Sequence, residues 1–436
     1  MAVKQVSGLG GVWWVSPAGA VAIVVVPSLL ASVALGDQVF RTAWDTPRWL
    51  TGGYATLLLV GALVFAVAST IPLLFPKAPA AKWPGLSATA RRRLETASSV
   101  IFWMTIAGYA AYLLVGVARG ARPADFIAVF SDESAAADNL KELFAPIAGV
   151  TTLTQFGIAY VVIAALLLVD GWDGRIVRRM TIIFAAGLLR AFFLSERLAI
   201  LELILPVVAI AAMVAARSAK PRVRSATGWM PVMLVPLVVV VFSIFEYSRS
   251  WAFYRSRSNG GFVQFAVERF AGYYATAYNN GEVFHLFEAT GGRLPLRTLD
   301  AFWTAPVVEQ LGLYGHLSST GFATYAQLLT QKANPEFNNT CGLCDPFLDW
   351  GTAGGLLWWA LAGLLLGLAY RSYCAADLRL LLLYPPLVTG LFEIPRYVYW
   401  TEGRLAPALL ALFAVGWWAR RPVREKHVGL KELLRA

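Results

Sequence analysis

Long apolar runs dominate this sequence of 436 residues. A helix crosses the hydrocarbon core of a bilayer in about 20 apolar residues, and shorter runs cross when flanking side chains reach the interface. Hydrophobic residues make up 58% of the chain and charged residues 14%, which is more apolar surface than one soluble core uses. We therefore predict an all-α integral membrane protein of about ten transmembrane helices. The predicted spans are 12–35, 53–75, 99–118, 147–169, 180–194, 198–215, 230–246, 352–370, 380–395 and 405–418.

The fifth and sixth spans are separated only by the segment LSER. They form either two helices joined by a short turn or one long helix. Merging them would break the alternation of loop charges further along the chain, so two helices are expected.

Basic residues alternate with the spans in the way that the positive-inside rule requires. The segments KAPAAKWPGLSATARRRLE, GWDGRIVRR, RSAKPRVRSATGW and RSYCAADLR fall on one side, together with the C-terminal tail. This pattern predicts a multi-pass protein of the cytoplasmic (inner) membrane with both termini cytoplasmic. The net charge of +11 then reflects orientation, and no nucleic-acid partner is expected.

One connection is much longer than the others and divides the chain. Residues 1–246 hold the first seven spans, and 247–350 form a large extracytoplasmic loop between spans 7 and 8. Residues 351–418 hold the last three spans, and 419–436 form a basic tail. The loop is rich in aromatic residues, so we expect ordered helices and turns packed over the outer face of the bundle.

Arginines lie at the outer ends of several predicted spans, where the positive-inside rule gives no reason for them. Seven residues separate Arg190 from Arg197, so both lie on one face if helix continues through them. Arginine offers fixed paired donors to phosphate oxygens. We interpret Arg190 and Arg197, with Arg249 and Arg396, as a site for the diphosphate of a polyprenyl lipid.

Carboxylates accompany these arginines and leave a second interpretation open. Glu196, Glu202 and Glu393 support the site in the first interpretation. In the second, Arg190 with Glu196, Arg197 with Glu202, and Glu393 with Arg396 are internal ion pairs that only fix helix packing.

Asp349 lies just above a glycine-rich helix start in the sequence DWGTAG. Its carboxylate can cap a helix, orient an arginine or accept a proton from a sugar hydroxyl. His285 and His316 in the large loop are alternative general bases, or ordinary surface residues.

Cys341 and Cys344 form a CxxC pair in a polar loop. We favour a short disulfide that braces the loop, with two free thiols as the alternative. No second CxxC and no nearby HxxxH completes a ligand set, so no metal and no cofactor is expected.

The order of these features resembles the O-antigen polymerase, or oligosaccharide repeat-unit polymerase, family. The similarity runs from about residue 150 to the end, and three features carry it. They are the arginines after a mid-chain span, the long loop with its SRS and RFAGYY segments, and FNNT followed by DWGTAGG before a late helix.

The resemblance implies a membrane glycosyltransferase with a GT-C-like plan that joins lipid-diphosphate-linked oligosaccharides without a metal. Arg190, Arg197 and Arg249 would hold the diphosphate, and Asp349 would be the acid before the late helix. The expected partners are the polyprenyl-diphosphate-linked oligosaccharide, membrane lipids, and a chain-length regulator or flippase. The related O-antigen ligases, which typically present a histidine in the large loop, are the alternative, and His316 fits that plan. A lipid-linked glycan flippase or transporter is the non-enzyme alternative.

Overall fold

Helices form all of the regular secondary structure in the part of the chain that the computed structural model describes. That part comprises 12–75, 85–128, 139–140, 142–145, 147, 149, 152–193, 198–251, 254–255, 260–287, 295–312 and 322–420, with backbone alone at 248–249, 309 and 322–326.

Seven of the described helices are long and apolar enough to cross a membrane. They are α1 (Pro17–Ala34), α3 (Gly52–Leu74), α4 (Ala88–Ala118), α6 (Thr152–Asp170), α8 (Leu198–Ala216), α9 (Pro221–Glu246) and α14 (Asp345–Cys374). The shorter or more polar helices are α2 (Asp37–Trp44), α5 (Pro123–Ala128), α7 (Gly174–Phe193), α10 (Phe262–Phe287), α11 (Asp300–Trp303), α12 (Pro306–Gln310), α13 (Phe322–Lys332), α15 (Leu378–Leu381), α16 (Tyr384–Glu393) and α17 (Ala406–Arg420). The multi-pass helical architecture follows the prediction, whereas the count of ten spans stays a prediction.

The predicted fifth and sixth spans are two helices that pack side by side. A Cβ atom built on Gly187 of α7 would lie 2.6 Å from Leu203 of α8, so the two helices approach closely there. The chain must therefore reverse between α7 and α8. The alternative of one long helix is wrong, and the segment LSER lies outside the described residues.

The predicted ninth span is broken into the two short helices α15 and α16. Pro385 and Pro386 stand in the first turn of α16. Proline lacks the N–H that a continuing helix would use and fits the first turn of a new one, so the sequence YPPL starts a helix there. α16 ends at Glu393, and residues 394–405 continue without α-helix, although none of them is exposed.

Contacts between helix ends define two ends of the bundle. Arg91 Nη1 of α4 lies 2.8 Å from Asp170 Oδ2 of α6, and Arg217 Nη2 beyond α8 donates to the carbonyl of Cys374 at 2.7 Å. We call this the basic end. The opposite end contains Glu202 of α8 and Asp345 of α14, and we call it the acidic end.

α3 and α14 run in the same direction and approach through glycines. A Cβ on Gly363 would lie 2.5 Å from the carbonyl oxygen of Phe65, and one on Gly367 would lie 2.3 Å from that of Ser69. Gly363 and Gly367 form a GxxxG pair, whose four-residue spacing lets helix backbones come together. This contact sets the position of α14, which carries the candidate site at its first turns.

The large segment between α9 and α14 does not lie only over the end of the bundle. α10 crosses the acidic end, where its Tyr278 hydroxyl lies 2.9 Å from Ser28 Oγ of α1. Residues 341–349 are all buried, and the Nε1 of Trp359 donates to the carbonyl of Leu343 at 3.3 Å. The last part of the predicted loop therefore enters the bundle.

We expect Gly367→Ala to lower the free energy of unfolding by about 1–3 kcal/mol, because its methyl group meets backbone that cannot move aside. Gly228→Ala is the matched control, since a Cβ there meets nothing within 4 Å. The check is thermal unfolding of the two variants in detergent. Equal stability of both variants would contradict the close α3–α14 approach.

Candidate functional site

Two non-helical segments meet inside the acidic end of the bundle. The N–H of Cys341 donates to the carbonyl of Arg396 at 2.9 Å, and the N–H of Leu343 donates to that of Ile394 at 3.0 Å. Cys341 and Cys344 form a disulfide, as predicted, and so brace the first segment. Buried backbone needs such partners because no water reaches it.

These segments reach deep along α3. The ring of Trp400 stacks on Phe65 with centroids 5.9 Å apart. Phe65 lies 13 residues beyond Gly52, which is about 20 Å along a helix. The second segment therefore extends from the acidic end well along α3, to the level of Phe65.

Asp349 joins the large segment to the start of α14. Its Oδ2 accepts from the N–H of Arg297 at 3.0 Å, from the N–H of Thr298 at 2.7 Å and from Thr298 Oγ1 at 2.8 Å. These donors all belong to the large segment and none is an N–H of α14, so the contacts do not show the capping role considered for Asp349. Of the three roles considered for this carboxylate, the contacts fit that of a residue that positions an arginine.

Arg297 lies between two carboxylates of α14. Its Nε is 3.8 Å from Asp345 Oδ1, and its Nη1 is 3.7 Å from Asp349 Oδ1. The same guanidinium lies 5.7 Å from the ring centroid of Phe284. Asp345 and Asp349 are one helical turn apart and face the same arginine, a spacing that the sequence CDPFLDW already contains.

A second ion pair ties α8 to the segment before α17. Arg404 Nε lies 2.6 Å from Glu202 Oε1, and its Nη2 donates to Oε2 at 3.0 Å. A hydrogen bond between two charged groups is stronger than one between neutral groups. The predicted partner of Glu202 was Arg197, which lies outside the described residues, as do Glu196 and His316.

Asp300 and Glu402 complete the acidic group. The N–H of Gly403 donates to Asp300 Oδ2 at 3.1 Å, and Thr401 Oγ1 donates to the carbonyl of Arg297 at 3.5 Å. Burial, together with the nearby carboxylate of Asp300, raises the pKa of Glu402 to about 7, against the opposing charge of Arg404. Burial also raises the pKa of Asp300, although the hydrogen bond from Gly403 lowers it. Glu402 can therefore exchange a proton near neutral pH.

Two of the predicted phosphate-binding arginines make internal contacts. Arg396 Nη1 lies 2.8 Å from Glu393 Oε2, and its guanidinium lies 5.4 Å from the ring centroids of Tyr273 and Tyr397. The ion-pair interpretation of Glu393 and Arg396 is thus confirmed. Arg190 donates to Thr154 Oγ1 at 3.0 Å.

The remaining predicted residues are placed only in part. Arg249 lies in the π-helical turn Tyr247–Trp251, and its side chain lies outside the described residues. His285 stacks on Tyr54, with ring centroids 4.9 Å apart. Within the described part of the chain, no three His, Cys, Asp or Glu side chains are grouped to hold a metal ion.

Sequence reasoning missed Arg297, Thr298 and Asp300, and assigned no partner to Glu402 or Arg404. Their partners are 48 to 202 residues away in the chain, so no local spacing reveals them. Comparison of the chain with models of protein families, with curated proteins and with solved structures finds no match.

We expect Arg404→Gln to lower the free energy of unfolding by about 3–5 kcal/mol, because it leaves the buried carboxylate of Glu202 without its cation. The double variant with Glu202→Gln removes the charge as well and should recover most of that loss. Thermal unfolding of the wild type, both single variants and the double variant measures the coupling. Additive effects would contradict the ion pair.

Proposed function

We propose that this protein is a membrane glycosyltransferase that joins lipid-diphosphate-linked oligosaccharide repeat units into a polysaccharide at the extracytoplasmic face. The observation that carries the proposal is the group of carboxylates at the acidic end of a membrane bundle, in which Glu402 lies near Asp300 and Arg404 and burial raises its pKa to about 7. A general base works best when its pKa lies near the working pH. The resemblance to repeat-unit polymerases supplies the substrate class.

In the proposed reaction, a hydroxyl of the acceptor sugar attacks the anomeric carbon of the donor sugar. The new glycosidic C–O bond forms as the bond to the diphosphate breaks, and Glu402 takes the hydroxyl proton. The lipid diphosphate leaves with an additional negative charge, which pre-placed arginines stabilise. Inversion at the anomeric carbon follows from a single displacement.

The numbers of carboxyl groups and arginines suggest which part of the site binds the acceptor sugar and which binds the donor diphosphate. The acidic end contains more carboxyl groups than arginines. Two arginines, Arg297 and Arg404, lie among five carboxyl groups, those of Glu202, Asp300, Asp345, Asp349 and Glu402. Both arginines already face carboxylates and so are poor partners for a diphosphate, whereas carboxyl groups accept hydrogen bonds from sugar hydroxyls in either protonation state. We therefore assign this part of the site to the acceptor sugar. The diphosphate is assigned to Arg190, with Arg197 and Arg249 as the residues that the resemblance adds.

A transporter or flippase for a lipid-linked glycan is the second candidate. The break between α15 and α16 and the buried non-helical segment after α16 favour it, because discontinuous helices of this kind form transporter sites. An O-antigen-type ligase remains the alternative within the enzyme class.

Deletion of the gene in its host separates these functions, and we expect loss of long polymer with build-up of single lipid-linked repeats. Envelope glycans and lipid-linked intermediates are separated by size, with a strain complemented by the wild-type gene as control. Long polymer left on its lipid carrier would indicate a ligase. Repeats trapped on the cytoplasmic side would indicate a flippase, and unchanged glycans would refute all three functions.

We expect the rate of polymer formation by the purified protein to rise with pH through about 7, because only ionised Glu402 accepts the proton. Glu402→Gln should lower the rate by about 10²–10⁴-fold and abolish that rise. The substrate is the pool of lipid-linked repeats from the deletion strain. Glu142→Gln, an exposed acid before α6, is the control. An unchanged pH profile in Glu402→Gln would assign the base elsewhere.

A further inference from the structure

Trp350 is presented outward from a buried segment at the acidic end. Residues 341–349 are all buried, whereas Trp350 is 47% exposed. Gly351 follows with φ 68°, a left-handed conformation that turns the chain at once into the rest of α14. The large indole is thus exposed directly after the buried residues that include Asp345 and Asp349.

The orientation of this indole is fixed from within the protein. Its Nε1 donates to Thr298 Oγ1 at 2.9 Å, and Thr298 Oγ1 donates in turn to Asp349 Oδ2 at 2.8 Å. A tryptophan that anchors a protein at the membrane surface directs its N–H to water or headgroups. Here the N–H is used internally, which leaves the ring face for contact with a ligand.

The groups around the indole fit one kind of ligand. Thr298 is followed two residues later by Asp300, whose carboxylate lies beside Gly403 and Glu402. An aromatic face packs against the apolar C–H face of a sugar ring, and carboxylates accept hydrogen bonds from its hydroxyls. A flat ring whose orientation is fixed from within the protein, next to a group of carboxylates, suits a sugar ring better than a lipid chain.

We propose that Trp350 is the stacking platform for a sugar ring of the acceptor oligosaccharide, held in position by Thr298 and Asp349. The inference rests on the proposed function and deepens it, since it names a side chain that binds the acceptor sugar. Thr298 and Asp349 are positioning residues in this arrangement.

The test measures binding of oligosaccharides to the full-length protein in lipid nanodiscs. The probe is the set of oligosaccharides released by mild acid from the host's envelope polysaccharide. We expect Trp350→Ala to weaken binding about tenfold and Trp350→Phe to weaken it less, because the smaller ring still stacks. Trp172→Ala is the matched control, since Trp172 is 80% exposed near the basic end and should not affect binding.

Two further variants test the hydrogen bonds that hold the indole. Thr298→Val removes the hydroxyl between Trp350 and Asp349 and should weaken binding, whereas Thr298→Ser retains the hydroxyl and should restore it. Thermal unfolding of each variant checks that the protein is folded. Wild-type affinity in Trp350→Ala, equal losses in Trp350→Ala and Trp172→Ala, or no binding by the wild type would each overturn the proposal.

The result is separable from the proposed function. If the oligosaccharides bind through Trp350 but the deletion strain still makes normal polymer and accumulates no lipid-linked repeats, the sugar site stands and the polymerase function fails. If the deletion strain loses polymer while Trp350→Ala binds normally, the function stands and the platform is overturned.

Discussion

The backbone hydrogen bonds from Cys341 to Arg396 and from Leu343 to Ile394 are the interaction on which the rest of the site depends. Non-helical backbone inside an apolar bundle has no water to satisfy its N–H and carbonyl groups, and each unsatisfied group costs several kcal/mol. Because the two segments satisfy each other, both can leave the helical conformation in the same place. Each segment then carries side chains into a position that a continuous helix could not offer.

The GxxxG contact between α3 and α14 makes room for this arrangement. Gly363 and Gly367 pack against the backbone of Phe65 and Ser69, so α14 lies close to α3 in its C-terminal half. On the N-terminal side of this contact the chain bends at Gly351, and the first residues of α14, from Asp345 to Asp349, are buried in the bundle. Asp345 and Asp349 are therefore buried by packing, and Arg297 supplies the charge that makes their burial tolerable.

The parts of this structure that local sequence determines could be predicted, and the parts that distant contacts determine could not. The apolar runs gave the long helices, the CxxC spacing gave the disulfide, and the three-residue interval from Glu393 to Arg396 gave their ion pair. The Glu202–Arg404 pair joins residues 202 positions apart, so sequence alone placed Glu202 with its neighbour Arg197. Asp349 was considered as a cap because it precedes glycines, yet its donors come from 51 and 52 residues away. Pro385 and Pro386 were a local signal that a new helix starts within the predicted ninth span. The prediction overlooked it because residues 380–395 are apolar throughout most of their length.

The contacts that join the segments of the site support the proposed chemistry over the proposed transport. Alternating access requires the segments that line a transporter site to move relative to one another. Here the two non-helical segments are joined by backbone hydrogen bonds, one of them is closed by a disulfide, and Asp349 fastens the large segment to α14 through three hydrogen bonds. These contacts position Arg297 and Trp350 relative to Asp349 and Thr298. Catalysis benefits from groups that need no reorganisation when charge develops, and a fixed set of this kind is what glycosyl transfer would use.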